Sequence, residues 1–145
     1  MRWVVPRWAP VALRLVMGVG FMAHGWAKLS RGPESFAQLL GWAGVPHPVL
    51  AAWSVTLLEL VGGLALILGL FVAIVSIPLI CSMIGAMLTV NVHYGFSSIN
   101  TIGLTASGPV FSPPGFEINL LYVAGLVALI LAGPDALSID RWRRG

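Results

Sequence analysis

Charge is what this chain has least of. Lys and Arg number 8 and Asp and Glu 5 in 145 residues, 9% together, against about a quarter in an ordinary water-soluble domain. With 58% hydrophobic residues and a mean hydropathy of +0.93, the chain has too little polar surface to cover a soluble fold, so the lipid bilayer is its predicted solvent. The same scarcity argues against a nucleic-acid partner. The formal charge is +3, but Arg2, Arg7, Arg141, Arg143 and Arg144 stand at the two chain ends, where they read as an orientation signal. Cysteine is nearly absent too. Cys81 alone cannot close an intramolecular disulfide or complete a Cys-x-x-Cys pair, which excludes a dithiol relay and leaves Cys81 as a packing residue. No metal-ligand set and no flavin, haem or iron–sulfur motif is evident, so no intrinsic cofactor is predicted.

What the chain does have is long apolar runs. A helix needs about 20 residues to span a bilayer, and four such segments fit, at about 9–29, 50–70, 71–93 and 116–132. The first stops at Ser30-Arg31-Gly32-Pro33 and the last at Gly133-Pro134. The second and third form one continuous run whose only plausible turn is at Gly69-Leu70-Phe71. The predicted fold class is all-α, a single transmembrane four-helix domain over 1–145 with no room for a soluble domain. An even number of spans with basic ends places both termini on the cytoplasmic side and the long connections outside. Arg14 interrupts the first apolar run and no Ala-x-Ala site follows it, so the first helix is read as a retained anchor rather than a cleaved leader. Trp3, Trp8, Trp26, Trp42, Trp53 and Trp142 fall near the span boundaries, as an interfacial aromatic belt would. Leu57, Leu58, Gly62, Ala65, Leu66, Ile67 and Leu68 match Leu120, Leu121, Gly125, Ala128, Leu129, Ile130 and Leu131 at one offset. This faint repeat would suit two helical hairpins related by an axis along the membrane normal.

Ionisable groups inside a span are expensive and need a partner or a purpose. Span one carries Arg14, His24 and Lys28; span two carries Glu59; span three ends in Asn91 and His93; span four opens with Glu117 and Asn119. At about 1.5 Å rise per residue, His24, Lys28, Glu59, His93 and Glu117 all fall in the outer half of the bilayer. His24 and Lys28, four residues apart, share a face. Arg14, Gly18, Phe21, Gly25 and Lys28 form a narrow stripe on which small residues admit another helix, and Ser82, Gly85 or Ala86, Thr89 and His93 form a second.

Each of these has a plainer reading. Lys28 can snorkel to the interface, Arg14 can reach the inner interface or Asp135, and His93 and Glu117 can be wet at helix ends. Glu59 is too deep for exposure, so it is either paired or functional, with neutral protonation as the alternative. A bis-histidine haem through His24 and His93 is disfavoured, since neither helix carries an accompanying motif. His47, between Pro46 and Pro48, reads as a loop residue. The connection 95–115 has no charge and no P-loop spacing; Ile99, Ile102, Leu104, Val110 and Phe111 suggest a lid over the helix ends, the alternative being a disordered loop.

These residues resemble the DoxX family of small four-helix membrane proteins. Leu13-Arg14-Leu15 and His24-Gly25-Trp26-Ala27-Lys28-Leu29 are similar to its Arg and His-Gly-x-x-Lys-Leu patterns, and Leu58-Glu59-Leu60-Val61-Gly62-Gly63 to its Glu-x-x-Gly-Gly. Gly115-Phe116-Glu117 and the closing Gly133-Pro134-Asp135-Ala136-Leu137-Ser138-Ile139-Asp140 resemble its Gly-x-Glu and its final Gly-Pro-Gly-x-x-Ser-x-Asp, with Asp135 where glycine is usual. The resemblance covers almost the whole chain. It implies a bacterial inner-membrane protein linked to thiosulfate:quinone oxidoreductase or to complexes that handle thiol and oxidative stress. On that basis His24 and Lys28 would donate to a quinone carbonyl and Glu59 would supply protons, with His93 or Glu117 connecting to the outside, while Arg14, Asn91 and Asn119 are structural. A soluble or membrane redox partner and a homo-oligomer both stay open. The competing readings are a non-enzymatic anchor or assembly subunit and a small-solute or proton-coupled carrier.

Overall fold

The computed structural model describes residues 8–143; Arg2, Trp3, Arg7 and Arg144, invoked above for orientation and the aromatic belt, lie outside the described residues. The chain is mostly helical, in the order α1 (Ala9–Arg31), α2 (Pro33–Trp42), α3 (Pro48–Leu68), α4 (Val72–Thr89), a 3₁₀ turn at Asn91–Tyr94, β1 (Thr101–Thr105), β2 (Gly108–Phe111), α5 (Glu117–Ala132) and α6 (Ile139–Trp142).

Proline and glycine set the element boundaries. α1, α2 and α3 each carry proline in their first turn, where the missing N–H would have had no intrahelical partner anyway. Gly32, at φ +84, ends α1 with its amide on the Leu29 carbonyl at 3.2 Å, and Pro33 restarts a helix at once. The Gly-Pro pair is therefore a corner rather than the start of an irregular connection. The resulting α2 buries Ala37 and Leu40 against Ala52 of α3. Between α3 and α4, Gly69 takes the left-handed conformation at φ +67. Its amide bonds the Leu66 carbonyl at 3.0 Å and that of Leu70 bonds the Ala65 carbonyl at 2.9 Å, which is the Schellman closure of a helix.

Laterally, α1 packs on α3, α3 on α4, α4 on α5 and α5 on α1. The α1–α3 contact is the most extensive, and small residues are the reason. A Cβ on Gly63 would stand 2.7 Å from the Gly18 carbonyl oxygen and 2.8 Å from the Met22 amide, so only glycine permits this approach of the two backbones. Gly62 of α3 meets Leu79 of α4, while Gly125, its counterpart in the faint repeat, meets Met17 of α1. Met17, Phe21, Leu66, Leu79, Met83, Leu126 and Leu129 form the shared core. Large apolar residues such as Val16, Val61, Ile74 and Leu131 remain exposed on the outer surface, as lipid contact requires. Among the described residues two helices, α3 and α4, are long and apolar enough to cross a membrane. α5 is apolar over 16 residues, and α1 spans 23 residues with Arg14, His24 and Lys28 on it.

Besides α2, two segments depart from the sequence-based expectation. α4 ends at Thr89 rather than running on to His93, because Val90 leaves helical geometry at φ −123; beyond it the side-chain Nδ2 of Asn91 donates to the Pro114 carbonyl at 2.9 Å. The 95–115 connection is an ordered β-hairpin rather than a disordered loop: β1 and β2 pair antiparallel, Leu104 facing Pro109 and Thr105 facing Gly108. Ile99, Ile102, Leu104, Val110 and Phe111 are all exposed. Two strands that satisfy each other's backbone groups need no helix surface beneath them.

Candidate functional site

Charged groups gather at two ends of the helix assembly. At one end Arg14 is 1% exposed. Its Nε donates to Asp135 Oδ2 at 2.8 Å, and its Nη1 donates to the Leu66 carbonyl at 2.6 Å and to that of Ile67. These carbonyls lie in the last turn of α3, where a cation also complements the helix dipole. The segment after α5 completes the clasp. Ser138 Oγ donates to the Asp135 carbonyl at 3.0 Å and caps α6. Asp140 accepts from the Phe71 and Val72 amides, at 2.8 Å and 2.9 Å, at the start of α4. A Cβ on Gly69 would come within 2.6 Å of Ser138 and 3.0 Å of Arg14 Nη1, so the turn must be glycine for the clasp to close. Asp135 and Asp140 thus hold α1, α3 and α4 together through the Gly-Pro-Asp…Ser-x-Asp run, with Asp135 as the fixed partner of Arg14.

At the other end α1 and α3 bring Lys28 and Glu59 together. Gly25 lets α1 lie against Leu60 and the Thr56 carbonyl of α3, and Lys28 Nζ bonds Glu59 Oε2. The Glu59 side chain is buried, whereas that of Lys28 is 21% exposed and its ammonium lies 5.0 Å from the centre of the Phe36 ring of α2. A carboxylate this deep is stable because a cation meets it, and the cation keeps one side open.

That open side is a cavity of about 1020 Å³. Its polar wall includes His24, Lys28, Glu59, Ser82, Asn119 and Tyr122, and its apolar wall comes from α2, α3 and α4, Phe36, Leu58 and Ile77 among them. Asn119 is 4% exposed; its Nδ2 donates to the Met83 carbonyl at 3.3 Å, and its Oδ1 has no hydrogen-bond partner among the described residues. The Tyr122 ring packs edge-on against Phe21 at 5.0 Å and His24 at 6.1 Å. The cavity is large enough for a ring-bearing ligand and mixes apolar walls with a few converging polar groups, the usual character of a small-molecule site.

Of the residues expected to bind quinone, His24, Lys28 and Glu59 line this cavity and His93 and Glu117 do not. His93 sits on the 3₁₀ turn with its ring 6.0 Å from that of Trp42, because α4 stops short of it. Glu117 Oε2 accepts the Ser98 amide at 3.0 Å, tying down the base of the hairpin at the start of α5. His24 and His93 therefore do not face one cavity. Asn91, expected to be structural, bonds the Pro114 carbonyl and also borders the cavity. Asn119, expected to be structural, bonds the Met83 carbonyl and also lies on the cavity wall, where Cys81, expected to be a packing residue, is exposed. Tyr122 was missed; its spacing of three from Asn119, which puts both on one helix face, was the available signal.

Residues 9–92 match the DoxX family. The chain is 33% identical over 128 residues to "Putative oxidoreductase CatD" of Bacillus subtilis, covering 88% of this chain and 81% of that protein. It is 24% identical over 135 residues to "Uncharacterized membrane protein Rv3486" of Mycobacterium tuberculosis, covering 90% and 78%. An "Uncharacterized protein" of Haemophilus influenzae is 29% identical over 130 residues, covering 88% and 85%. No solved structure gives a significant match. With its apolar helices and a family match over more than half its length, the chain is a membrane protein of the DoxX family.

Proposed function

We propose that this protein is a quinone-interacting membrane subunit of an oxidoreductase complex in the bacterial inner membrane. In this reading α1, α3, α4 and α5 form a single transmembrane four-helix bundle with both termini on the cytoplasmic side and the cavity in the outer half of the bilayer. The observation that carries it is the Lys28–Glu59 ion pair at the polar wall of a mostly apolar cavity of about 1020 Å³. The oxidoreductase name of the Bacillus subtilis relative agrees with it.

The residues present suit a quinone headgroup. Lys28 Nζ and the Tyr122 hydroxyl are donors suited to a ring carbonyl, and the apolar wall covers the ring and the start of an isoprenoid tail. A bound quinone supplies the capacity to take up two electrons and two protons. Glu59, paired as a carboxylate with Lys28, can take up a proton at its carboxylate and pass it on through the cavity side. His24, on the same α1 face one turn away, takes part in proton exchange at its imidazole. The electrons come from a separate redox partner.

A specific observation also supports the assembly-subunit reading: the uncharged hairpin exposes Ile102 at 66% and Leu104 at 82%, as a contact surface for another subunit would. Both readings meet in one experiment. Protein purified in mild detergent is extracted with organic solvent and its quinone quantified per chain, for wild type, Glu59→Gln and Lys28→Met. Near-stoichiometric quinone in wild type, lost in both variants without loss of monodispersity, is the expected result. Quinone-free wild type that brings a partner with it overturns the redox reading in favour of the assembly one.

A further inference from the structure

We propose that the cavity binds the reduced, quinol form of its ligand more tightly than the quinone, through the carboxamide oxygen of Asn119. The inference rests on the reading of the cavity as a quinone site and concerns which redox form that site selects.

The amide orientation follows from its neighbour. The Met83 carbonyl can only accept, so the atom of Asn119 facing it at 3.3 Å is Nδ2. Oδ1 is thereby turned elsewhere, in a residue that is 4% exposed and lines the cavity. It has no hydrogen-bond partner among the described residues. A buried acceptor left unpaired is costly, and a donor brought to it recovers that cost. A quinone has two carbonyl oxygens and no hydroxyl, so it brings a second acceptor to an acceptor and relieves nothing. A quinol has two hydroxyl groups, either of which can donate to Oδ1.

The rest of the polar wall does not cancel this preference. Lys28 Nζ donates to ligand oxygens of either form, because a hydroxyl oxygen keeps its lone pairs. Glu59, when ionised, accepts only and so favours a ligand hydroxyl as well. The Ser82, Thr89, Ser98 and Tyr122 hydroxyls, the Cys81 thiol and the His24 imidazole, which also line the cavity, discriminate little, and Asn91, whose Nδ2 is engaged by the Pro114 carbonyl, has only its oxygen to offer, a further acceptor. One hydrogen bond made by the quinol and denied to the quinone corresponds to about tenfold in affinity. For a two-electron couple, tenfold tighter binding of the reduced form raises the midpoint potential of the bound pair by about 30 mV. The site would then make its bound quinone a stronger oxidant than the membrane pool.

The test compares a decyl-tailed benzoquinone with its benzoquinol, each partitioned anaerobically between nanodiscs with and without the protein. The expected result is quinol binding about tenfold tighter in wild type, with the preference reduced in Asn119→Leu to what Glu59 and Asn91 give. Equal affinities in wild type, tighter quinone binding, or a preference undiminished in Asn119→Leu overturns the inference while leaving the quinone reading in place. Failure of both forms to bind wild type overturns both. If Asn119→Leu does not fold, the wild-type ratio decides.

Discussion

Removing Asp135 from the clasp with Arg14 should cost far more than its position near the chain's end suggests. In Asp135→Ala, Arg14 stays buried without its carboxylate. Breaking a buried pair by deleting one partner costs about 3–5 kcal/mol, and the lower end applies here because Nη1 keeps the Leu66 and Ile67 carbonyls. We expect a loss of about 3 kcal/mol. Arg14→Met should cost at least as much, since it strands Asp135 with the Leu137 amide at 3.1 Å and leaves the Ile67 carbonyl at the end of α3 without its donor. The double variant should lose less than the sum of the two, by about 2 kcal/mol, as residues of one network do. Equilibrium unfolding in mixed micelles, followed by tryptophan fluorescence, measures all three. A loss below about 1 kcal/mol for Asp135→Ala, the range of an exposed pair, would refute the claim that this ion pair holds α1 to the α3 end.

Asp140→Ala should lose about 1–2 kcal/mol, the worth of a helix cap, in the same assay, because two amides at the start of α4 lose their acceptor. Gly63→Val should cost about 1–3 kcal/mol by overpacking, and crosslinking between cysteines introduced on α1 and α3 should slow as the two backbones are forced apart. Glu117→Ala should speed protease cleavage within 95–115, since the Ser98 amide loses its anchor, while leaving quinone content unchanged.

Local sequence patterns carried some of this and not the rest. The α1 stripe was readable because steps of three and four residues fix one helix face: Arg14, Gly18, Phe21 and Gly25 are all buried. Asp135 was visible as a candidate for Arg14 because both were predicted at the same membrane boundary. The role of Asp140 was not, since it depends on a short helix folding back over the Gly69 turn. α2 was hidden behind the Ser30-Arg31-Gly32-Pro33 stop signal, which ends one helix and equally begins another. The hairpin was hidden because its pairing is set by a turn in a segment whose apolar residues show no burial. At the cavity, His24, Lys28 and Glu59 stood out as ionisable groups in apolar runs. Tyr122 and the unpaired oxygen of Asn119 did not, because their significance comes from what lies across the cavity from them.

Photolabelling tests the central claim most directly. Wild-type protein in nanodiscs is irradiated with a photoreactive azidoquinone, and the labelled peptides are mapped with and without excess unlabelled quinone. The account predicts competable labels on α1 near His24, on α3 near Glu59 and on α5 between Asn119 and Tyr122. Labels confined to the outer apolar surface, at residues such as Val16, Val61 and Leu131, and unaffected by competitor, would contradict it.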